Sequence, residues 1–282
     1  MGTPVGKPSG WQRLLSIDRR VIFVVMALSV IIPLLVPLRL PLGPETAPAR
    51  DLYDKIDSLH EGDAVILAFN FGPSSMPELY PMATALIRHC FERNVKVLGL
   101  SLIPVGPPMC ESAFGEVAKE YHKQMGVDYV NLGFKTGYTA PMLEMATDIP
   151  GTFKRDYAGQ KLSTMPMMAN IRSYADISLI IDLASSSSPT TWIQLIGARY
   201  KVPIAAGVTA VMGTDYYPYL QSHQLVGLLA GLKGAAEYEQ LVGHPGMGKS
   251  GMDAQSVAHC VIIVFVLIGN TAYFAIRRRQ GR

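Results

Sequence analysis

The chain has 282 residues, of which 49% are hydrophobic and 17% are charged, and its formal net charge is +3 at pH 7. The charge is unevenly divided: residues 41–256 carry 16 Lys and Arg against 21 Asp and Glu, whereas the two ends together carry nine against one. The mildly acidic centre argues against nucleic acid as a partner, and the length suits one sizeable domain with anchors or two small domains.

A basic N-terminal segment, residues 1–20, is followed by an uncharged apolar stretch over residues 21–38. These 18 residues, at about 1.5 Å rise each, just cross a hydrocarbon layer of about 30 Å, so we predict a first transmembrane helix. The basic segment itself favours a short interfacial helix. The alternative is a cleaved signal peptide, since Ala47-Pro48-Ala49 has the small-x-small form, although the apolar stretch is longer than a usual signal core.

A Pro-rich linker, residues 39–50, leads into a predicted α/β domain, residues 51–243. Strands that are apolar throughout are typical of a parallel sheet covered on both faces. They are predicted at 64–69, 95–100, 127–132, 177–183 and 203–208, with helices at 51–60, 77–94, 113–125, 142–146, 190–200 and 224–242. The fold class is therefore α/β: a doubly wound, mainly parallel five-stranded Rossmann-like sheet between two transmembrane helices. Residues 150–169 fit no element.

The C-terminal part contains a Gly-rich juxtamembrane linker, residues 244–256, a second transmembrane helix, residues 257–276, and a basic tail, residues 277–282. Basic residues cluster on the outer flanks of both apolar stretches. The positive-inside rule then places both termini in the cytoplasm and the central domain outside it, in a two-pass cell-membrane protein.

One motif suggests nucleotide binding, because Gly243, Gly248, Lys249 and Ser250 fit the phosphate-loop pattern G-x-x-x-x-G-K-[ST]. A phosphate loop needs a strand before it and a helix after it. The residues before Gly243 have helical character, so we interpret the motif as part of the linker and discount nucleotide binding.

The loops after the strands are better candidates for a ligand site, because open α/β sheets bind ligands at the carboxyl ends of their strands. The candidate ligand-binding residues in these loops are Asn70, Ser74, Ser75, Lys135, Thr136, Ser187, Ser188, Thr190 and Thr209. The serine run 185–188 precedes a predicted helix, where it is either a plain cap or a contact for a polar ligand.

A membrane-tethered hydrolase is the alternative from another class. It would use Ser185 or Ser186 with His223 as base and Asp182 or Asp215 as orienting acid. No G-x-S-x-G elbow supports this triad. The chain shows no spacing of metal ligands, and we predict no metal site and no cofactor.

Two features favour self-association. Gly227 and Gly231 lie four residues apart in the predicted helix 224–242, where small residues permit close approach of a second backbone or of the protein's own sheet. His259, Asn270 and Thr271 are polar residues within the second apolar stretch and favour another helix over lipid. Cys90 and Cys110 either pair or are two buried thiols. We therefore predict a scaffold or binding role, with a homo-oligomer or another membrane protein, and the lipid bilayer, as partners.

Overall fold

The computed structural model describes residues 17–36 and 38–280. Two compact units are distinguished by their contacts: residues 41–249, and the segments up to residue 40 and from residue 250 onward. The helices are α1 (Arg19–Leu35), α2 (Ala47–Asp57), α3 (Met76–Glu92), α4 (Gly106–Glu120), α5 (Thr139–Glu144), α6 (Ile149–Phe153), α7 (Ser188–Thr191), α8 (Ala198–Tyr200), α9 (Gly213–Gln221), α10 (Gly231–Leu241) and α11 (Met247–Gln280). The strands are β1 (Ala64–Asn70), β2 (Lys96–Ser101), β3 (Tyr129–Phe134), β4 (Leu179–Ala184), β5 (Ile204–Val208) and β6 (Gly227–Ala230).

The unit of residues 41–249 is built on a six-stranded sheet in the order β3-β2-β1-β4-β5-β6, and every pair of neighbours is parallel. This is the strand order of a Rossmann-like doubly wound sheet. The predicted α/β class and parallel sheet are confirmed. The five predicted strands are all present, with starts and ends within two residues of those observed.

Alternate residues of each strand enter two separate cores, which explains why the strands are apolar throughout. In β1, Val65, Leu67 and Phe69 face a core formed with α2, α3, α4 and α10. Ile66 and Ala68 face the second core, to which the long connection between β3 and β4 and the segment after β4 contribute. The second core is rich in methionine, a side chain whose flexibility fills irregular gaps.

The predicted helix over 224–242 is wrong in its first part, because Gly227–Ala230 forms β6 and the helix begins only at Gly231. A Cβ at Gly227 would lie 2.5 Å from the Leu52 Cβ, so glycine permits α2 to pack closely on this edge strand. Gly231 has φ +60°, which marks the turn between strand and helix. The two glycines therefore do not form a helical association face, and the sheet has six strands instead of five.

Only one helix among the described residues is long and apolar enough to cross a membrane, within Met247–Arg278 of α11. The N-terminal helix α1 has 17 residues, or about 25 Å at 1.5 Å per residue, and contains Pro33. It begins at Arg19 and ends at Leu35, three residues before the predicted end of the first transmembrane helix. The prediction of two flanking transmembrane helices is thus supported for the C-terminal one alone. Residues 1–16 of the basic segment, to which most of the predicted interfacial helix belongs, lie outside the described residues.

The two predicted linkers are partly helical. Helix α2 begins at Ala47, within the predicted linker 39–50, and α11 begins at Met247, within the predicted linker 244–256. Glycines are tolerated in the first turns of α11 because they permit close packing: a Cβ at Gly248 would lie 2.9 Å from the Ala235 Cβ of α10.

Residues 135–178 connect β3 to β4 through α5, α6 and three short 3-10 turns, Leu162–Thr164, Pro166–Ala169 and Tyr174–Asp176. Residues 150–169, which fit no element by their sequence, lie within this connection. It passes along the outer edge of β3, where the Tyr157 N–H donates to the Asn131 carbonyl at 2.8 Å. Its apolar residues belong to the methionine-rich core.

Cys90 and Cys110 are free and buried, so the alternative of two buried thiols is the one observed. Burial raises the pKa of the Cys90 thiol to about 12, which leaves it protonated and unreactive near neutral pH.

Candidate functional site

The elements that follow β1 and β4 pack on opposite faces of the sheet. Helix α3 follows β1 and packs in one core, whereas the segment after β4 packs in the other through Trp192 and Ile193. Strand order reverses between β1 and β4, and such a switch point is where open α/β sheets bind ligands. We call the space between loops 70–75 and 185–188 the β1/β4 crevice.

A hydrogen-bonded group of three buried side chains lies at this switch point, where β1 and β4 end. The Asn70 amide donates to Asp182 Oδ1 at 2.7 Å, and the Ser188 hydroxyl donates to Asp182 Oδ2 at 2.6 Å. All three residues have no exposed surface. Asn70 Oδ1 also accepts the Leu102 N–H at 2.8 Å, so the group joins the ends of β1, β2 and β4 to the start of α7.

Burial raises the pKa of Asp182 from 3.8 to about 7, although the hydrogen bonds from Ser188 and Asn70 act in the opposite direction. Desolvation therefore outweighs two good hydrogen bonds, as expected for a carboxylate without a cationic partner. The carboxyl group is poised between its neutral and ionised forms near pH 7. Perturbed carboxyl groups of this kind are concentrated at functional sites.

The polar group continues toward the surface through Ser186 and Tyr138. The Ser186 and Ser188 hydroxyls are 3.4 Å apart, and the Tyr138 hydroxyl lies 3.3 Å from Ser186 Oγ. Ser185 and Ser187 are exposed above them. The Ser187 side chain makes no capping hydrogen bond to α7, so the simple cap interpretation of the serine run is not observed for this residue.

Other predicted ligand residues also lie at the carboxyl ends of the strands. Ser74 and Ser75 precede α3, Lys135 and Thr136 follow β3, and Thr209 follows β5. Thr190 lies in α7. Sequence reasoning did not identify Glu78, whose carboxylate accepts the Ala210 N–H at 2.8 Å and ties the loops after β1 and β5 together. Its position in the first turn of a predicted helix was a usable signal.

The structure does not bring the hydrolase triad together. His223 lies between α9 and β6, and the nearby Val226 N–H donates to the carbonyl of Ile204, the first residue of β5. His223 is therefore at the amino ends of the strands, whereas Ser185 and Ser186 are at the carboxyl ends. Asp215 is exposed in the first turn of α9 at the carboxyl ends.

The backbone N–H groups of the phosphate-loop motif bind a side chain of the protein itself. Both oxygens of the Glu239 carboxylate accept backbone N–H groups: Gly246 at 2.8 Å, Gly248 at 2.9 Å and Lys249 at 2.8 Å. Glu239 is 1% exposed, and its burial raises its pKa while these N–H donors oppose the rise. Gly243 and Ser250 flank this turn, and α10 precedes it in place of the required strand. The donors that would hold a phosphate thus bind a carboxylate of the protein itself.

The described residues contain no group of three His, Cys, Asp or Glu side chains that could hold a metal ion. Comparison of the chain with protein-family models, with curated proteins and with solved structures gives no match.

Replacing Asp182 by asparagine is expected to change the pH dependence of stability. Because the native pKa of Asp182 is raised to about 7, the native state binds more protons than the unfolded state between about pH 4 and pH 7. Unfolding free energy therefore falls as pH rises through this range, by on the order of a few kcal/mol. Asp182→Asn, which has no proton to lose, should flatten this slope in unfolding measurements on the full chain in detergent.

The control is Asp182→Ala. It leaves the Asn70 amide and the Ser188 hydroxyl without their acceptor, and should destabilise the protein by about 1–3 kcal/mol over the whole range. An unchanged pH slope in Asp182→Asn would contradict the assignment.

Proposed function

We propose that this protein is a membrane-anchored α/β domain that binds a small polar ligand in the β1/β4 crevice. The observation that carries the proposal is the buried Asn70–Asp182–Ser188 group at the switch point. A buried carboxylate without a cation costs folding free energy that an apolar side chain would avoid. A site that holds a polar ligand at this position explains why a polar group is kept there.

The chemistry of the crevice favours a ligand with hydroxyl or amide groups. Its outer part offers the hydroxyls of Ser185, Ser186 and Tyr138, which both donate and accept hydrogen bonds. Asp182, near its pKa, can serve as acceptor or donor to the same chain of hydroxyls. Neutral donors and acceptors in a partly enclosed site suit an uncharged polar molecule.

Binding is favoured over hydrolysis by the state of the serines. Ser188, the serine bonded to a carboxylate, is fully buried and cannot reach a substrate in this conformation. His223, which would act as the base for Ser185 or Ser186, is at the opposite ends of the strands. The polar group at the crevice is therefore suited to holding a ligand and its surrounding loops.

Filling the crevice should abolish ligand binding. Ser185→Trp places an indole over the exposed mouth, whereas Ser58→Trp changes an exposed serine at the end of α2, before β1. We expect ligand-detected NMR with a panel of nucleosides, hexoses and free amino acids to give a binder whose signal is lost in Ser185→Trp and kept in Ser58→Trp. The proposal fails if no member of the panel binds, or if both variants behave alike.

We also propose that both apolar helices anchor the domain, with α1 as a second, short membrane pass. Apolar side chains of α1 are exposed to the surroundings, Phe23 at 68% and Leu35 at 76%, as is expected for lipid contact. Arg19 and Arg20 at its start and Arg277 and Arg278 near the end of α11 favour a cytoplasmic location of both termini.

The topology has a direct test. Protease added to intact spheroplasts should cleave the α/β domain if it lies outside the cytoplasm, while a cytosolic control protein stays whole. Full protection of the domain until the membrane is lysed would reverse the proposed orientation.

Self-association through α11 is the third part of the proposal. His259 and Asn270 are separated by eleven residues, which is close to three helical turns and puts them on one face of the helix. Both are exposed in the single chain. Polar side chains in hydrocarbon favour a partner that satisfies their hydrogen bonds, and the same face of a second copy supplies one.

Replacing Asn270 by leucine should weaken this association. A hydrogen bond between transmembrane helices contributes about 0.6–2 kcal/mol, so the dimer dissociation constant should rise about threefold to thirtyfold in energy-transfer measurements between labelled chains. Ile263→Leu, an exposed apolar exchange in the same helix, is the matched control. Equal association of wild type and Asn270→Leu would contradict this face as the interface.

A further inference from the structure

A second site is indicated by a basic pocket in the connection between β3 and β4, away from the residues of the β1/β4 crevice. The cavity has a volume of about 420 Å³. Its lining residues are Asp148, Pro150, Gly151, Lys154, Arg155, Lys161, Ser163 and Arg172. Four of these side chains are cationic and one is anionic. We call this cavity the basic pocket.

This accumulation of cations contrasts with the rest of the unit. Residues 41–256 carry more acids than bases, 21 against 16. Several cations elsewhere in the unit form ion pairs, for example Arg88 with Glu116 and Glu120, and Lys233 with Glu237. Among the described residues, the four cations of the basic pocket take part in no ion pair, and Arg155 makes one hydrogen bond, to the Gly159 carbonyl. Four cations against the single carboxylate of Asp148 leave an excess of positive charge around the concavity, and such an excess attracts anions.

The backbone holds one of these cations in an unfavourable conformation. Lys154 has φ 57° and ψ −43°, and the Arg155 N–H donates to the Phe153 carbonyl at 2.6 Å, which makes Lys154 the centre of a strained γ-turn. Glycine would adopt this conformation without the steric cost. Non-glycine residues kept in strained conformations are concentrated at functional sites and ligand clamps.

The surrounding chain is well fixed, so the pocket is not a loose loop. The Ile149 N–H donates to the Arg172 carbonyl at 2.7 Å, and the Leu162 N–H donates to the Lys154 carbonyl at 3.2 Å. Arg155 and Lys161 form an antiparallel bridge. Buried Phe153 and Leu162 fasten the same segment to the methionine-rich core. The cations are therefore presented from a preorganised backbone, which lowers the entropic cost of binding.

We propose that the basic pocket binds a phosphate-bearing anion with more than one charge. The guanidinium groups of Arg155 and Arg172 suit the paired oxygens of a phosphate, and the ammonium groups of Lys154 and Lys161 add point charges. The Ser163 hydroxyl adds a neutral donor. The volume exceeds that of a single phosphate and is within the range of small-molecule sites. A phosphorylated solute and the phosphate headgroup of a lipid share this chemistry.

The test uses the full chain in a neutral detergent, titrated calorimetrically with inorganic pyrophosphate and with dihexanoyl phosphatidic acid. Dihexanoyl phosphatidylcholine is the zwitterionic control. Saturable binding of either anion supports the proposal, and the tighter of the two identifies a free phosphate or a lipid headgroup as the source. Absence of saturable binding for both anions, or equal binding of the phosphatidylcholine, overturns it.

Three variants locate the binding. Arg172→Gln should weaken the anion about tenfold, the effect of one charge-assisted contact at a partly screened site. Lys154→Gly should weaken it similarly while raising the melting temperature, since glycine relieves the γ-turn. Lys201→Gly is the matched control, because Lys201 is an exposed lysine with φ 60° that lies outside the basic pocket.

The control variant should raise the melting temperature and leave the affinity for the anion unchanged. An equal loss of affinity in Lys201→Gly would show an unspecific charge effect and overturn the site. An unchanged affinity in Arg172→Gln would also overturn it, and this variant does not depend on the outcome at Lys154.

Discussion

The α/β unit depends on one constraint: both faces of its parallel sheet must be buried from water. Parallel strands cannot be joined by tight turns, so each connection must cross a face and can cover it. Four helices cover one face, α2, α3, α4 and α10. The other face is covered by the long connection between β3 and β4. Its methionines and short turns bury this face in place of regular helices. The basic pocket lies on this irregular cover.

Two buried carboxylates show how the same fold treats negative charge in different ways. Glu239 is surrounded by backbone N–H donors, and it fastens the start of α11 to α10. Asp182 has two side-chain donors and no nearby cation, and its proton affinity rises accordingly. The first carboxylate supports structure by filling a place that would suit a phosphate. The second lies at the switch point of the sheet, and for this position we propose a role in binding.

The strands were predictable because each is buried on both faces. Burial on both faces makes the strand a continuous apolar run, which can be recognised without an alternating pattern. Strand β6 was missed because its four residues begin with a glycine and run directly into α10, so the segment resembles one apolar helix. The loops with Asn70 and with the serine run were predictable from the positions of the strand ends. Their hydrogen-bonded link through Asp182 was not, because it depends on the register of β1 against β4 and on the burial of the Asp182 side chain. The basic pocket gives no sequence signal, since its cations are spread between Lys154 and Arg172 in a segment without regular spacing.

The outer edge of β3 has a consequence for the behaviour of the chain at high concentration. An uncovered edge strand is a template on which further strands can add, and such addition leads to aggregation. Here the Tyr157 N–H already occupies the Asn131 carbonyl of β3, and at the opposite edge β6 is only four residues long. We therefore expect that a high concentration of the chain does not lead to strand addition, because neither edge of the described sheet offers a long run of open backbone groups.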